Sequence, residues 1–404
     1  MKKIDTVAVL GGGAAGFFAA LSVKKHHPQA KVILYEKTTK VLAKVKISGG
    51  GRCNVTHAEF IPNELASYYP RGQKELKGPF HSFMTGDTMA WFESRGVPLK
   101  IEDDGRVFPV SNSSQTIIDC FLKQSQKYDI KLKKNHAVRS IGQTGDSWTV
   151  ETTQEVFYCK KLMIATGSNP KIWQMLQSLG HNISPAVPSL FTFDIDDPRL
   201  KDIPGVVAKD VAVEVMGTSL HSEGPLLITH SGLSSPSILK LSAFGAIELA
   251  QLNYKFEIKI NFIQQDAASC LEVLMKNKLE LSKKLVRNTP LFELPKRLWV
   301  KLVQAAAIAD ELRWADLNKL QLQSLLKQLT KAVFQVHGKS TFKEEFVTAG
   351  GIDLKEINFK TYESKLFKNL FFAGEIINID GVTGGFNFQN AWTGAYLAAQ
   401  ELSK

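Results

Sequence analysis

Apolar and polar positions along the chain change their period several times. Thr6-Val7-Ala8-Val9-Leu10 is a short apolar run, interrupted by Gly11-Gly12-Gly13-Ala14-Ala15-Gly16. Phe17–Lys25 continues with helix formers, and a second run follows at Lys31–Glu36. This order predicts strand, glycine turn, helix and strand within the roughly 30 residues of a βαβ unit. Leu162-Met163-Ile164-Ala165-Thr166-Gly167 repeats the strand-then-glycine style. Between them, Thr116–Lys127 reads as a helix, and β pieces are expected around Ile130–Ile141 and Trp148–Tyr158. Pro185 and Pro188 suggest a boundary.

Beyond that boundary Asp210–Met216 alternates, and Tyr254–Phe262 alternates without a fault, which is the signature of half-buried antiparallel strands. From Asp266 to about Val336 the spacing turns helical, with Leu298, Leu302, Ala305, Ala309 and Leu312 at intervals of three and four. Leu370–Glu375 then restores the opening style, and a closing helix is expected over Gln389–Leu402. A domain that begins at residue 1 and resumes near the end makes the middle regions insertions. The expected division is an α/β Rossmann-type domain over 1–188 and 344–404, an antiparallel β insert over 189–263, and a helical insert over 264–343.

The chain has 404 residues, 44% hydrophobic and 22% charged, as expected of a water-soluble globular protein of two or three domains. The start MKKIDT followed by Val7–Val23 imitates a signal peptide, but Asp5 and four glycines break the pattern. A cytoplasmic protein without membrane contact is expected. Cys53, Cys120, Cys159 and Cys270 are scattered with no C-x-x-C pair, against a disulfide framework, a zinc knuckle or a dithiol centre. The net charge is +11, and residues 264–343 hold 14 Lys and Arg against 7 Asp and Glu. That excess would attract a polyanion, although a solvated lysine face is the commoner meaning of such a run.

Gly11-x-Gly13-x-x-Gly16 follows a strand and opens a helix, and Glu36 ends the next strand. Gly11 permits the turn, Gly13 lets the backbone approach a pyrophosphate, and Gly16 lets helix meet strand. Glu36 would accept from ribose hydroxyls and repel a 2′-phosphate. The fingerprint alone does not separate FAD from NAD. A strand ending Ala165-Thr166-Gly167 and a late Gly374-Glu375 with Asp380, Gly384 and Gly385 suit the longer cofactor, FAD. A final helix aimed at the flavin pyrimidine ring would stabilise the charge of a reduced flavin. In KISGGGRCNVTH (Lys46–His57) a Walker loop is excluded by the lack of a following Gly-Lys-Ser/Thr, which leaves a backbone-rich wall beside the flavin.

ISGGGRCN, GRVFPVS, LLITHSGLSSP, VTAGGIDL and FFAGEIINIDGVTGGFNFQNAWTGA together resemble the signature blocks of the BaiN/YhiN-like, aminoacetone-oxidase-like NAD(P)/FAD-dependent flavoproteins. The resemblance spans nearly the whole chain. It implies an oxidoreductase with a glutathione-reductase-like FAD domain, a β-barrel-like insert and a helical insert. By the same resemblance Gly11, Gly13, Ala14, Ala15 and Gly16 hold phosphate, and Glu36 with Lys37 borders the ribose. Ser48, Gly49, Gly50, Gly51, Arg52, Cys53 and Asn54 line ribityl and flavin, and Val138 lies near adenine. Gly374, Glu375, Asp380, Gly384, Gly385, Phe386, Asn387 and Gln389 form the C-terminal cradle. Phe386 stands where the family frequently has tyrosine.

No catalytic dyad is evident. Cys53 reads more readily as packing than as a reactive thiol, and His57, His230 and Arg106 are weak substrate-facing candidates. Flavin supplies the redox chemistry, so the chain need only position and polarise. No second G-x-G-x-x-G lies between residues 170 and 345, so NAD(P)H would act as a transient donor if at all, and O2 is equally allowed as acceptor. Two functions stay open: hydride exchange with a small amine, alcohol or C–H donor, or action on RNA through the basic helical insert.

Overall fold

The computed structural model describes residues 6–340 and 347–404. The expected boundary at 343/344 and Asp5 lie outside the described residues. Two compact units emerge, Met1–Val187 with Lys343–Lys404, and Pro188–Phe342.

The first unit is built on a seven-stranded sheet ordered Ile357–Asn358, Glu363–Ser364, Leu370–Phe372, Lys161–Ile164, Thr6–Leu10, Lys31–Tyr35 and Lys131–Lys133. Thr6–Leu10 runs parallel to both neighbours, pairing Val9 with Met163 and with Leu34. Its four apolar residues are buried on both faces, which is why the sequence shows a run rather than an alternation. The first helix (Ala14–His26) and the last (Phe386–Leu402) pack together on this sheet, with Phe18 at 5.3 Å from Trp392 and 5.5 Å from Phe83. The last helix starts three residues earlier than expected, at Phe386, because Gly385 at φ +96° turns the chain directly into it. Two three-stranded antiparallel sheets flank the core sheet, Thr56–His57 with Arg106–Pro109 and Leu99–Ile101, and Val138–Thr144 with Ser147–Thr152 and Val156–Cys159.

The second unit carries a seven-stranded antiparallel sheet, whose central strands are Phe256–Asn261, Val207–Val215 and His221–Ile228. Phe256–Asn261 alternates buried and solvent-facing residues as its period-two pattern requires. The sheet is not a closed barrel: no ladder joins its two terminal strands among the described residues. Those strands, Ala332–Val336 and Gly338–Ser340, are nevertheless consecutive in the chain, pairing with Phe256–Asn261 and Thr192–Asp194 respectively. The barrel-like expectation is thereby corrected to an open sheet that one bent segment serves at both ends.

The helical period also ends sooner than expected. The helix carrying Leu298 and Leu302 stops at Ala305, Ala307 turns left-handed at φ +55°, and Ala309 and Leu312 lie beyond it. The last helix of this region ends at Thr330, and Ala332–Val336 is a strand. Strand residues Val213 and Ile258 share one hydrophobic cluster with helix residues Leu298, Leu302 and Leu325, so the β and helical inserts form a single unit here. The physical reason is that each has one apolar face, and each covers the other's. No helix among the described residues is long and apolar enough to cross a membrane.

Candidate active site

The glycine turn is shaped by contact. Gly11 donates its amide to the Tyr35 carbonyl at 2.8 Å. It holds φ +111°, and a Cβ there would lie 2.3 Å from the Ala165 carbonyl oxygen, so glycine is required twice over. A Cβ at Gly16 would lie 1.9 Å from the Gly11 carbonyl oxygen, which brings the first helix directly onto the turn. Gly13 is different: no atom lies within 4 Å of where its Cβ would be. As N-cap it offers no side-chain acceptor, so the amides of the first turn at the positive end of the helix are left uncapped by any side chain there. Thr166 adds a buried hydroxyl with no hydrogen-bond partner among the described residues. Free amides, an orphan hydroxyl and room fit the pyrophosphate of FAD.

Gly374 and Glu375 arrive at the same place. A Cβ at Gly374 would touch Ala15 at 3.3 Å, and one at Gly167 would lie 3.9 Å from Glu375 Oε2. Glu375 forms an ion pair with Lys44, a partner 331 residues away that sequence reasoning missed. Glu36 sits at the end of its strand and accepts the Gly12 amide at 2.9 Å through Oε2. Its Oε1 accepts the Thr38 amide and hydroxyl at 2.9 and 3.0 Å. Oε2, with a single donor, keeps acceptor capacity for a ribose hydroxyl. Lys37 is exposed beside it. Residues 133–136 cross this edge by hydrogen bonds to Glu36 and Thr38, and Val138 follows, half-buried, in a ladder with Thr152.

The loop Ser48–Asn54 is a kinked helix end in which Gly49, Gly50 and Gly51 all take positive φ. A Cβ on Gly49 would meet the Asn54 amide at 2.9 Å and the Phe108 ring at 3.0 Å, while Gly50 and Gly51 face open space. Asn54 is buried and accepts the Val107 amide at 3.2 Å, anchoring the loop to Arg106–Pro109. Ser48 donates to the Val45 carbonyl at 3.0 Å. Arg52 is held by protein partners. Its guanidinium pairs with Glu102 at 2.6 Å and lies 3.8 Å over the Phe108 ring. The Arg52 hydrogen bond holds the Glu102 carboxyl below its usual range.

Cys53 is fully buried, and burial pushes its thiol up to about 12, which leaves it protonated and unreactive. Burial likewise raises Cys120 to about 11 and Cys159 and Cys270 to about 12. At pH 8 the native protein is expected to leave all four thiols untouched by a disulfide reagent and to expose all four on denaturation. Rapid modification of any native thiol would contradict this environment.

The C-terminal cradle is held mainly by protein partners. A Cβ on Gly385 would lie 2.6 Å from the Thr56 carbonyl, so the loop rests on strand backbone. His57 Nδ1–H donates to the Gly384 carbonyl at 3.2 Å, and its ring stacks on Phe386 at 4.6 Å. Burial lowers the His57 pKa, favouring the neutral ring. Phe386 also stacks on Tyr68 at 4.3 Å, so its missing hydroxyl leaves a packing role. Asn387 bonds the Gly381 amide and carbonyl, both at 2.9 Å. Gln389 is fully buried, its amide oxygen accepting from Thr56 at 2.6 Å and Thr88 at 2.9 Å. Asp380 is also fully buried and bonds Arg71 in a fork. The Arg71 fork fixes the Asp380 carboxylate within the loop that precedes the last helix.

The structure thus gathers Gly11, Gly13, Ala15, Gly16, Ala165, Thr166, Gly374 and Glu375 around one space. Arg52, Asp380, Asn387 and Gln389 each bond protein partners. Arg71, Glu102, Lys44 and Thr56 were invisible in sequence, since nothing near them in the chain marks their partners. Arg106 faces Asp104, 2.7 Å away, and His230 lies in the second unit.

Comparisons with known proteins bear on the family and the fold. A ribosomal RNA dihydrouridine synthase of Escherichia coli is 28% identical over 100% of this chain and 98% of its own. A 3-dehydro-bile acid delta(4,6)-reductase of Clostridium scindens is 22% identical over 99% and 100%. In fold, the chain resembles the 3-ketosteroid-delta4-(5alpha)-dehydrogenase of Rhodococcus jostii RHA1, with a TM-score of 0.51, 12% identity, and 97% and 96% coverage. The HI0933-like protein Rossmann domain matches residues 5–401, so the chain belongs to that family, an FAD-dependent oxidoreductase family of flavoproteins.

Proposed function

We propose that the protein reduces a carbon–carbon double bond conjugated to a carbonyl, and that its substrate is a uridine of ribosomal RNA. The observation that carries the redox part is the open, uncapped helix start at Gly13 inside a cradle only glycine can form. When bound, FAD supplies hydride transfer. The chain's residues hold the cofactor: amides of the first turn and the Thr166 hydroxyl toward pyrophosphate, and Glu36 toward ribose. Asn54, Gly49 and the loop Gly384–Phe386, fixed by His57, Asn387 and Asp380, wall the ring end.

Support for the substrate comes from chemistry shared by relatives. Dihydrouridine formation saturates the uracil 5,6 bond, which is conjugated to the C4 carbonyl. The name of the Clostridium scindens relative describes the same bond type in a steroid. The RNA-named relative is the more similar over its full length, and a net charge of +11 suits a polyanion. Reducing equivalents enter from NADH or NADPH acting transiently.

The test is direct. FAD-loaded protein, NAD(P)H and ribosomal RNA lacking dihydrouridine should give RNA heavier by two hydrogens at a defined uridine, read by mass spectrometry. If RNA is unchanged while a 3-keto-4-ene steroid reoxidises the reduced enzyme, the small-molecule reading replaces this one.

A further inference from the structure

The unit Pro188–Phe342 contains a cavity of about 360 Å³ that none of the chemistry above uses. Phe262, Ile263, Phe292 and Leu294 form its apolar surface. Lys209, Asp210, Gln265 and Glu293, all exposed, form its polar rim. Its volume lies within the range of small-ligand sites.

Three irregular segments build it. Strand Val207–Val215 bulges at Lys209 and Asp210, the register jumping from Ala208 opposite Leu226 to Val211 opposite Gly224. The partner residue between is Pro225, which has no N–H to give the ladder. The bulge places two consecutive charged residues on the cavity. Beyond Phe256–Asn261, Phe262 is buried and Gln264 takes φ +48°. In the third segment, Phe292 and Glu293 are both left-handed, at φ +58° and +55°. Two adjacent non-glycine residues in that region cost about 1–2 kcal/mol each. Pro290 and Pro295 bracket the segment and restrict the unfolded chain, which helps to hold it. The outcome is a preset loop that offers a half-buried ring and a carboxylate together.

We propose that this cavity binds a guanine base, carried by single-stranded RNA or by a free guanine nucleotide. The ring of Phe292 gives a planar base a face to stack on. Asp210 and Glu293 only accept hydrogen bonds, so the ligand must donate; Lys209 only donates, so the ligand must also accept. Guanine has N1–H and the 2-amino group side by side, matching one carboxylate bidentately, and O6 and N7 accept from an ammonium. Adenine, cytosine and uracil each lack that adjacent pair of donors. The inference rests on the RNA reading above for one of its two sources, and gives RNA a contact outside the flavin-binding unit.

The experiment uses full-length, FAD-loaded protein, the four nucleoside 5′-monophosphates and four single-stranded RNA pentamers, each with one of the four bases at its centre. Saturation-transfer NMR reads the monophosphates and fluorescence anisotropy the pentamers. Guanosine monophosphate is expected to bind about tenfold tighter than the others, and Glu293→Gln or Asp210→Asn to remove about tenfold. Both side chains are exposed, and far-UV circular dichroism checks the fold of each variant. Preference for the guanine pentamer identifies RNA as the source, and binding of the monophosphate alone identifies a free nucleotide. Equal binding of all four bases, or unchanged affinity in both variants, overturns the proposal. Guanine binding without dihydrouridine formation would overturn the RNA substrate while leaving the site.

Discussion

Gly11→Ala is expected to yield a protein that purifies colourless and does not recover a flavin spectrum when FAD is added. The new Cβ would sit 2.3 Å from the Ala165 carbonyl oxygen, 2.6 Å from its carbon and 2.9 Å from the Thr166 nitrogen. All three are backbone atoms at the end of the neighbouring strand, so no side-chain rotation relieves the clash. The φ of +111° adds strain of about 1–2 kcal/mol for any residue with a Cβ. The turn must move, and the uncapped amides beyond it move too. Gly13→Ala is the informative control, because its Cβ enters open space and the fold should keep its melting temperature. Any effect of that variant then reads on cofactor alone. Wild-type FAD stoichiometry in Gly11→Ala would refute the placement of the pyrophosphate.

Arg71→Leu is expected to cost about 3–5 kcal/mol of stability and to weaken FAD retention. Asp380 is fully buried, and Arg71 meets its carboxylate with a fork of two hydrogen bonds. Removing the guanidinium leaves a fully buried carboxylate without its cation, where desolvation of the charge dominates. Asp380 precedes Gly381, which Asn387 clamps, so the disturbance reaches the glycines that open the last helix. Urea denaturation measures the loss, and Arg71→Leu with Asp380→Asn should recover a large part of it by removing the charge. A single variant within about 1 kcal/mol of wild type would show that the pair carries little net energy.

Sequence reading succeeded where the physics is local. A buried parallel strand must be an apolar run, a half-buried antiparallel strand must alternate, and a turn at φ +111° pressed against a neighbouring carbonyl must be glycine. Thr6–Leu10, Phe256–Asn261 and Gly11 obey those rules without reference to anything distant. Reading failed where a residue's partner lies far along the chain. Asp380 reads as part of the cofactor cradle, and nothing in the sequence marks its ion pair with Arg71, 309 residues away. Gln389 reads as part of the same cradle, and its acceptance of bonds from Thr56 and Thr88 is equally unmarked in the sequence.

The chain's own pattern thus determined the family, the FAD-type cradle and the order of its elements. Only the tertiary structure decided which polar residues remain free for a ligand, and that a bent segment, residues 332–340, serves both ends of one sheet. The reason is that backbone conformation is dictated by neighbours in sequence. Charge pairing and burial are settled by neighbours in space, after the fold has brought them together.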